Sequence, residues 1–136
     1  MAYVLAKQFM SETKEIQKSS ISWWKPQIGD LYCDLNAFGI GNISCILTAD
    51  ELEVIETDKI LNYFVPLFQI HQLIKFIEDK TECKIEMDYY EEGVSIYLNS
   101  LGKDGLSHYK FGPFENLGFD LLKALWEVAC KIVSQN

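Results

Sequence analysis

The stretch KIEMDYYEEGVSIYL, residues 84–98, alternates apolar and polar positions on both sides of Glu91-Glu92-Gly93. A period of two marks strands with one buried face, and a glycine behind two turn residues supplies the positive φ of a tight hairpin. Successive strand residues face opposite ways, so the pattern predicts two rows. Ile85, Met87, Tyr89, Val94, Ile96 and Leu98 form the row expected to meet a core, and Glu86, Asp88, Tyr90, Ser95 and Tyr97 form the other. A third run, SHYKF, follows the turn-rich NSLGKDG and is expected to add Tyr109 and Phe111 to the first row and His108 and Lys110 to the second.

Apolar residues at helical spacing flank this hairpin. In PLFQIHQLIKFIEDK, Pro66 suits a first helical turn, and Leu67, Ile70, Ile74 and Ile77 follow at three-and-four spacing. In FENLGFDLLKALWEVACKIV, Phe119, Leu122, Trp126, Ala129 and Val133 trace a stripe widened by Leu125 and Ile132. The predicted fold class is α+β: an antiparallel sheet in an α-β-β-β-α unit over about residues 66–133, preceded by an N-terminal helix and short strands.

In the first half, Leu5, Phe9 and Ile16 predict a helix from Ala2 to about Lys18, ended by Ser19-Ser20. Residues 21–28, ISWWKPQI, read as extended, because Pro26 disfavours helix at Lys25. Alternation then separates the paired tryptophans: Trp24, in phase with Pro26 and Ile28, is expected to pack inward, and Trp23 to face outward. LYCDL, ISCIL and LEVIE are expected as short strands. The last also carries a helix-start signal, with Thr48 or Asp50 as a cap. No linker or repeat divides the chain, so one domain over 1–136 is expected, with residues 1–63 as a helix with short strands and 64–136 as the α-β-β-β-α unit.

Charge narrows the function. The net charge is −8 and all the basic residues are lysines. Phosphate and guanine recognition rely on arginine forks and a basic footprint, so direct nucleic-acid binding is not expected. An acidic chain suits a protein partner with a basic surface. Cys33, Cys45, Cys83 and Cys130 are scattered without any C-x-x-C pair, so they read as core thiols, and neither a metal nor a cofactor is expected. Gly39-Ile40-Gly41 lacks the third glycine of a dinucleotide fingerprint. Glu91-Glu92 falls in a hairpin loop, where both carboxylates are solvated and unsuited to acid–base catalysis. No apolar run is long enough for a membrane span, and a cytoplasmic protein is expected.

Tyrosine interleaved with acidic groups makes a recognition surface, since tyrosine gives large contact area at low entropy cost. The candidate partner surface comprises Trp23, Glu86, Asp88, Tyr90, Tyr97 and His108. Two other readings stand beside it. One is a homo-oligomeric assembly component that self-associates through Trp23, Trp24, Phe38 and Phe64; the other is an enzyme built on His108 and a cysteine. Within the binding reading, a small-molecule pocket lined by Trp24, Tyr32 or Tyr97 is a variant.

The order helix, three strands, helix is also that of double-stranded RNA-binding domains. Where those carry a lysine cluster, this chain reads FENLGFD, whose Glu115 and Asp120 repel phosphates. VPLFQIHQLIKFIEDKTECKIEM and ENLGFDLLKALWEVACKIV resemble small phage and prophage accessory proteins with a helix–sheet–helix sandwich domain, over residues 64–133. That resemblance implies a phage or mobile-element protein acting in a bacterial host cell, where a host defence factor is the expected partner. It assigns no role to any residue.

Overall fold

The computed structural model describes residues 3–37, 39–58, 63–101 and 107–135; the side chains of residues 101 and 107–110 are outside that description. Five helices and two three-stranded antiparallel sheets make the α+β class plain among the described residues. The chain divides into two compact units, Tyr3–Phe68 and Gln69–Asn136.

The first unit opens with α1 (Ala6–Met10) and α2 (Lys14–Trp23). The one helix expected here is therefore two, and the second runs past Ser19-Ser20. Thr13 makes the break, its hydroxyl accepting from Ile16 N at 3.3 Å as an N-cap. Gln17 ties the turn down by donating from Nε2 to the carbonyls of Met10 and Glu12. The Ser20 hydroxyl is satisfied within the helix by donating to Ile16 O at 2.7 Å, so it does not stop the helix.

The unit's sheet has the order β2-β1-β3, with β1 (Leu31–Asp34), β2 (Ser44–Cys45) and β3 (Phe64–Pro66). Between β2 and β3 lies α3 (Ala49–Asp58), where LEVIE was expected as a strand. The cap outweighs β propensity here: Thr48 Oγ1 accepts from Glu51 N at 3.1 Å, and Asp50 and Glu51 complement the dipole of the first turn. Val54 is exposed and Ile55 buried, so the β-branched pair serves a one-sided helix rather than a ladder. Pro66 likewise ends β3 instead of starting a helix.

The second unit follows the expected order, with α4 (Ile70–Thr81), β4 (Lys84–Tyr90), β5 (Gly93–Leu101), β6 (Ser107–Phe114) and α5 (Leu121–Ser134). Its sheet is ordered β4-β5-β6. Val94, Ile96 and Leu98 are completely buried, as are Ile77 of α4 and Leu125, Val128 and Ile132 of α5. Each such side chain contributes about 1.5–3 kcal/mol when withdrawn from water, so this row and these stripes are the unit's main source of stability. Asp120 caps α5 by accepting from Lys123 N at 3.2 Å. Phe119, expected in the α5 stripe, precedes that cap and is 73% exposed.

Candidate functional site

Seven consecutive pairs hold β4 to β5, from Lys84↔Asn99 to Tyr90↔Gly93. This register puts Glu86 opposite Tyr97 and Asp88 opposite Ser95, as the alternation requires. Glu86, Asp88 and Tyr90 are exposed and Tyr97 is half-buried. The sheet thus brings four of the six expected surface residues into one outward row. Asn99 extends it, donating from Nδ2 to Glu86 Oε1 at 2.9 Å. Sequence reasoning omitted Asn99 although it continues the alternation of Ser95 and Tyr97.

Within the row, the Tyr90 hydroxyl is held by the Tyr97 hydroxyl and stands 3.5 Å from Asp88 Oδ2. The bond to Tyr97 first, and the nearby negative charge of Asp88 with it, push the Tyr90 phenol up to about 12. The Tyr90 phenol is thus stabilised in its neutral form, with its hydroxyl hydrogen engaged inside the row. The arrangement combines carboxylates, phenols and an amide on a rigid ladder, which suits hydrogen bonding to cationic side chains.

Four expected placements in the sheet differ. Ser95 is buried, and its hydroxyl accepts from Asn116 N at 3.3 Å, because residues 116–118 close over this end of β5. There Val94 N donates to Gly118 O and Leu117 N to Val94 O. Tyr89, assigned to the core row, is 62% exposed beside the hairpin turn. His108 is paired with Ser100 and Tyr109 with Asn99, the reverse of the expected phase. Register shifts between Ile96 and Leu98 and again between Leu98 and Asn99 each insert an extra β6 residue, and the second turns the alternation over between Phe111 and Tyr109. The side chain of His108 lies outside the described residues.

Trp23 belongs to the first unit and the other five to the second. It closes α2 and is half-buried, its ring 5.8 Å from that of Phe68 at 59°. The expected outward tryptophan is therefore partly covered, since helix rather than extended chain carries it. Trp24 is 1% exposed, as expected of the inward member, and its indole donates to Asp30 Oδ2 at 3.1 Å. Ile28, expected in phase with it, is 60% exposed at the turn. Phe38, expected as a contact residue, lies outside the described residues.

Among the thiols, Cys33 is buried, and burial foremost pushes its pKa up, which disfavours the nucleophilic thiolate. Its Sγ donates to Gly39 O at 3.2 Å, a structural use of the group. No grouping of three or more His, Cys, Asp or Glu side chains suited to a metal ion occurs among the described residues. A shallow groove of about 510 Å³ between α4 and β4 is lined by Lys75, Glu78, Asp79 and Lys84 among others. Both of its lysines are in ion pairs, Lys75 with Asp79 at 3.5 Å and Lys84 with Glu78 at 3.8 Å. No helix among the described residues is long and apolar enough to cross a membrane.

No family model, curated protein or solved structure matches this chain.

Proposed function

We propose that this protein acts by non-catalytic binding, holding a basic protein surface against the outward face of the second sheet. The reading extends to a phage or mobile-element accessory protein that inhibits or modulates a host defence factor in the bacterial cytoplasm. One observation carries it: Glu86, Asp88, Tyr90 and Tyr97 stand exposed or half-exposed in one row, on a sheet whose opposite face is completely buried at Val94, Ile96 and Leu98. Such a face is fixed before any partner arrives, which lowers the ordering cost of association.

The experiment is capture of a host partner on the immobilised protein, compared with an E86K/D88K double variant. Both positions are exposed, so the variant is expected to fold normally and to lose the captured partner, and raising salt is expected to weaken the wild-type complex. Capture that is indifferent to both the charge reversal and salt overturns the reading.

A further inference from the structure

Sheet edges present unpaired backbone groups, and proteins blunt them with short strands, prolines or bulges. Three of the four edge strands among the described residues carry such a device. β2 is two residues long, β3 ends in Pro66, and β6 contains Pro113 together with its two register shifts. The fourth, β4, has seven residues in unbroken register and no proline, and is guarded only by the charges of Lys84, Glu86 and Asp88.

One hydrogen bond fixes which backbone groups of β4 face outward. Ile85 N donates to Glu78 Oε2 at 3.1 Å, so it does not donate across to Leu98. In an antiparallel pair the hydrogen-bonded and non-hydrogen-bonded residues alternate. Lys84, Glu86, Asp88 and Tyr90 are therefore the residues bonded to β5, and Ile85, Met87 and Tyr89 turn their backbone N–H and C=O groups to the edge. Glu78 covers the first of these positions. Met87 and Tyr89 remain without such a cover among the described residues, and the strand around them is exposed or half-exposed.

Charge selects the occupant. Against a second copy of β4, antiparallel pairing can set Met87 opposite Ile85, Met87 or Tyr89. The first puts Glu86 opposite Glu86, the second Glu86 opposite Asp88, and the third Asp88 opposite Asp88. Each sets like charges directly across the ladder, which is destabilising; the first also sets Lys84 opposite Asp88 twice, so it is the one self-pairing that charge does not oppose outright. A strand with Lys or Arg at those positions meets opposite charges instead.

We propose that β4 is the docking edge for an extended basic segment, which adds as a fourth strand with Lys or Arg opposite Glu86 and Asp88 and apolar residues opposite Met87 and Tyr89. This deepens, and rests on, the acidic-face reading above. Main-chain bonds at Met87 and Tyr89 supply the affinity, and the alternating charges supply the register.

The test uses the full chain and the peptide acetyl-Val-Lys-Val-Lys-Val-amide, followed by backbone amide NMR at millimolar peptide. Strand addition is expected to shift the Met87 and Tyr89 amides. N-methylation of the central valine, whose N–H faces Met87, is expected to weaken binding about tenfold or more, whereas N-methylation of both lysines, whose N–H groups face away, leaves it within about threefold. Met87→Pro, tolerable where the N–H faces solvent, is expected to match the loss seen with the methylated valine, its fold checked by the remaining amide spectrum. Equal binding of the two methylated peptides overturns strand addition. If E86K/D88K still abolishes that binding, the acidic-face reading survives alone; if it does not, or if no amide shifts, both fail. A wild-type dimer in sedimentation that Met87→Pro dissociates assigns the edge to a second copy and also overturns the proposal.

Discussion

Gly93 approaches Gly118 so closely that a Cβ on Gly93 would lie 2.2 Å from the Gly118 carbonyl oxygen. The contact is backbone against backbone, and Gly93 also sits at φ 113°, outside the range of other residues. Gly93→Ala must move either the hairpin turn or residues 116–118. It is expected to destabilise the protein by about 2–4 kcal/mol in chemical denaturation. An unchanged midpoint would show that this close approach does not hold in solution.

Tyr32 and Glu51 join β1 to the first turn of α3 through a bond of 2.6 Å from the phenol to Oε2. Burial, then the Glu51 bond and charge, push the Tyr32 phenol up to about 12 from an ordinary 10. A raised pKa means that this contribution to stability is complete below pH 10 and is lost as pH rises toward 12. The same bond, assisted by Leu47 N, holds the Glu51 carboxyl below its ordinary 4.5, so its share is present above that value and disappears as pH falls through the lowered pKa. Tyr32→Phe is expected to cost about 1–2 kcal/mol at neutral pH and to flatten the alkaline limb of the stability profile.

On the outward face, the Tyr97 hydroxyl is the first cause of the high Tyr90 pKa. Tyr97→Phe is expected to bring the Tyr90 transition down from about 12 toward the ordinary 10 in an ultraviolet titration. Asp88→Asn is expected to lower it as well, by less. A Tyr90 transition unmoved by Tyr97→Phe would separate the two phenols.

At the end of α4, Glu82 takes the left-handed conformation, φ 56°, as a C-cap whose N–H bonds to Glu78 O. A glycine adopts it without the Cβ penalty. Glu82→Gly is expected to raise stability by about 1 kcal/mol. Equilibrium denaturation checks it, and a loss of stability would mean that the Glu82 side chain contributes more than its backbone costs.

The second unit was legible because both its periods are strongly marked. Seven uninterrupted residue pairs transmit the alternation of KIEMDYY to β5, so Glu86, Asp88, Tyr90 and Tyr97 fall together as predicted. The reading failed where pairing departs from one residue against one: at β6, the residue inserted between Leu98 and Asn99 reverses the phase and moves His108 out of register with the row. In the first half, intrinsic preferences misled. Val54 and Ile55 favour strand, yet one hydroxyl at Thr48 starts a helix there. Ser19 and Ser20 suggest a stop, yet back-bonding lets α2 continue and carries Trp23 onto Phe68. Each miss came from a hydrogen bond or a bulge that depends on geometry rather than on residue type.

The burial of Trp24 has a spectroscopic consequence. It lies in the first unit at 1% exposure, and Trp126 lies in the second at 7%, so each unit contains a buried native fluorophore. With Trp23 replaced by phenylalanine, single-tryptophan chains retaining either Trp24 or Trp126 would report the melting of one half each. Coincident emission curves would mark one cooperative transition across the Phe68–Gln69 boundary, and separate curves two.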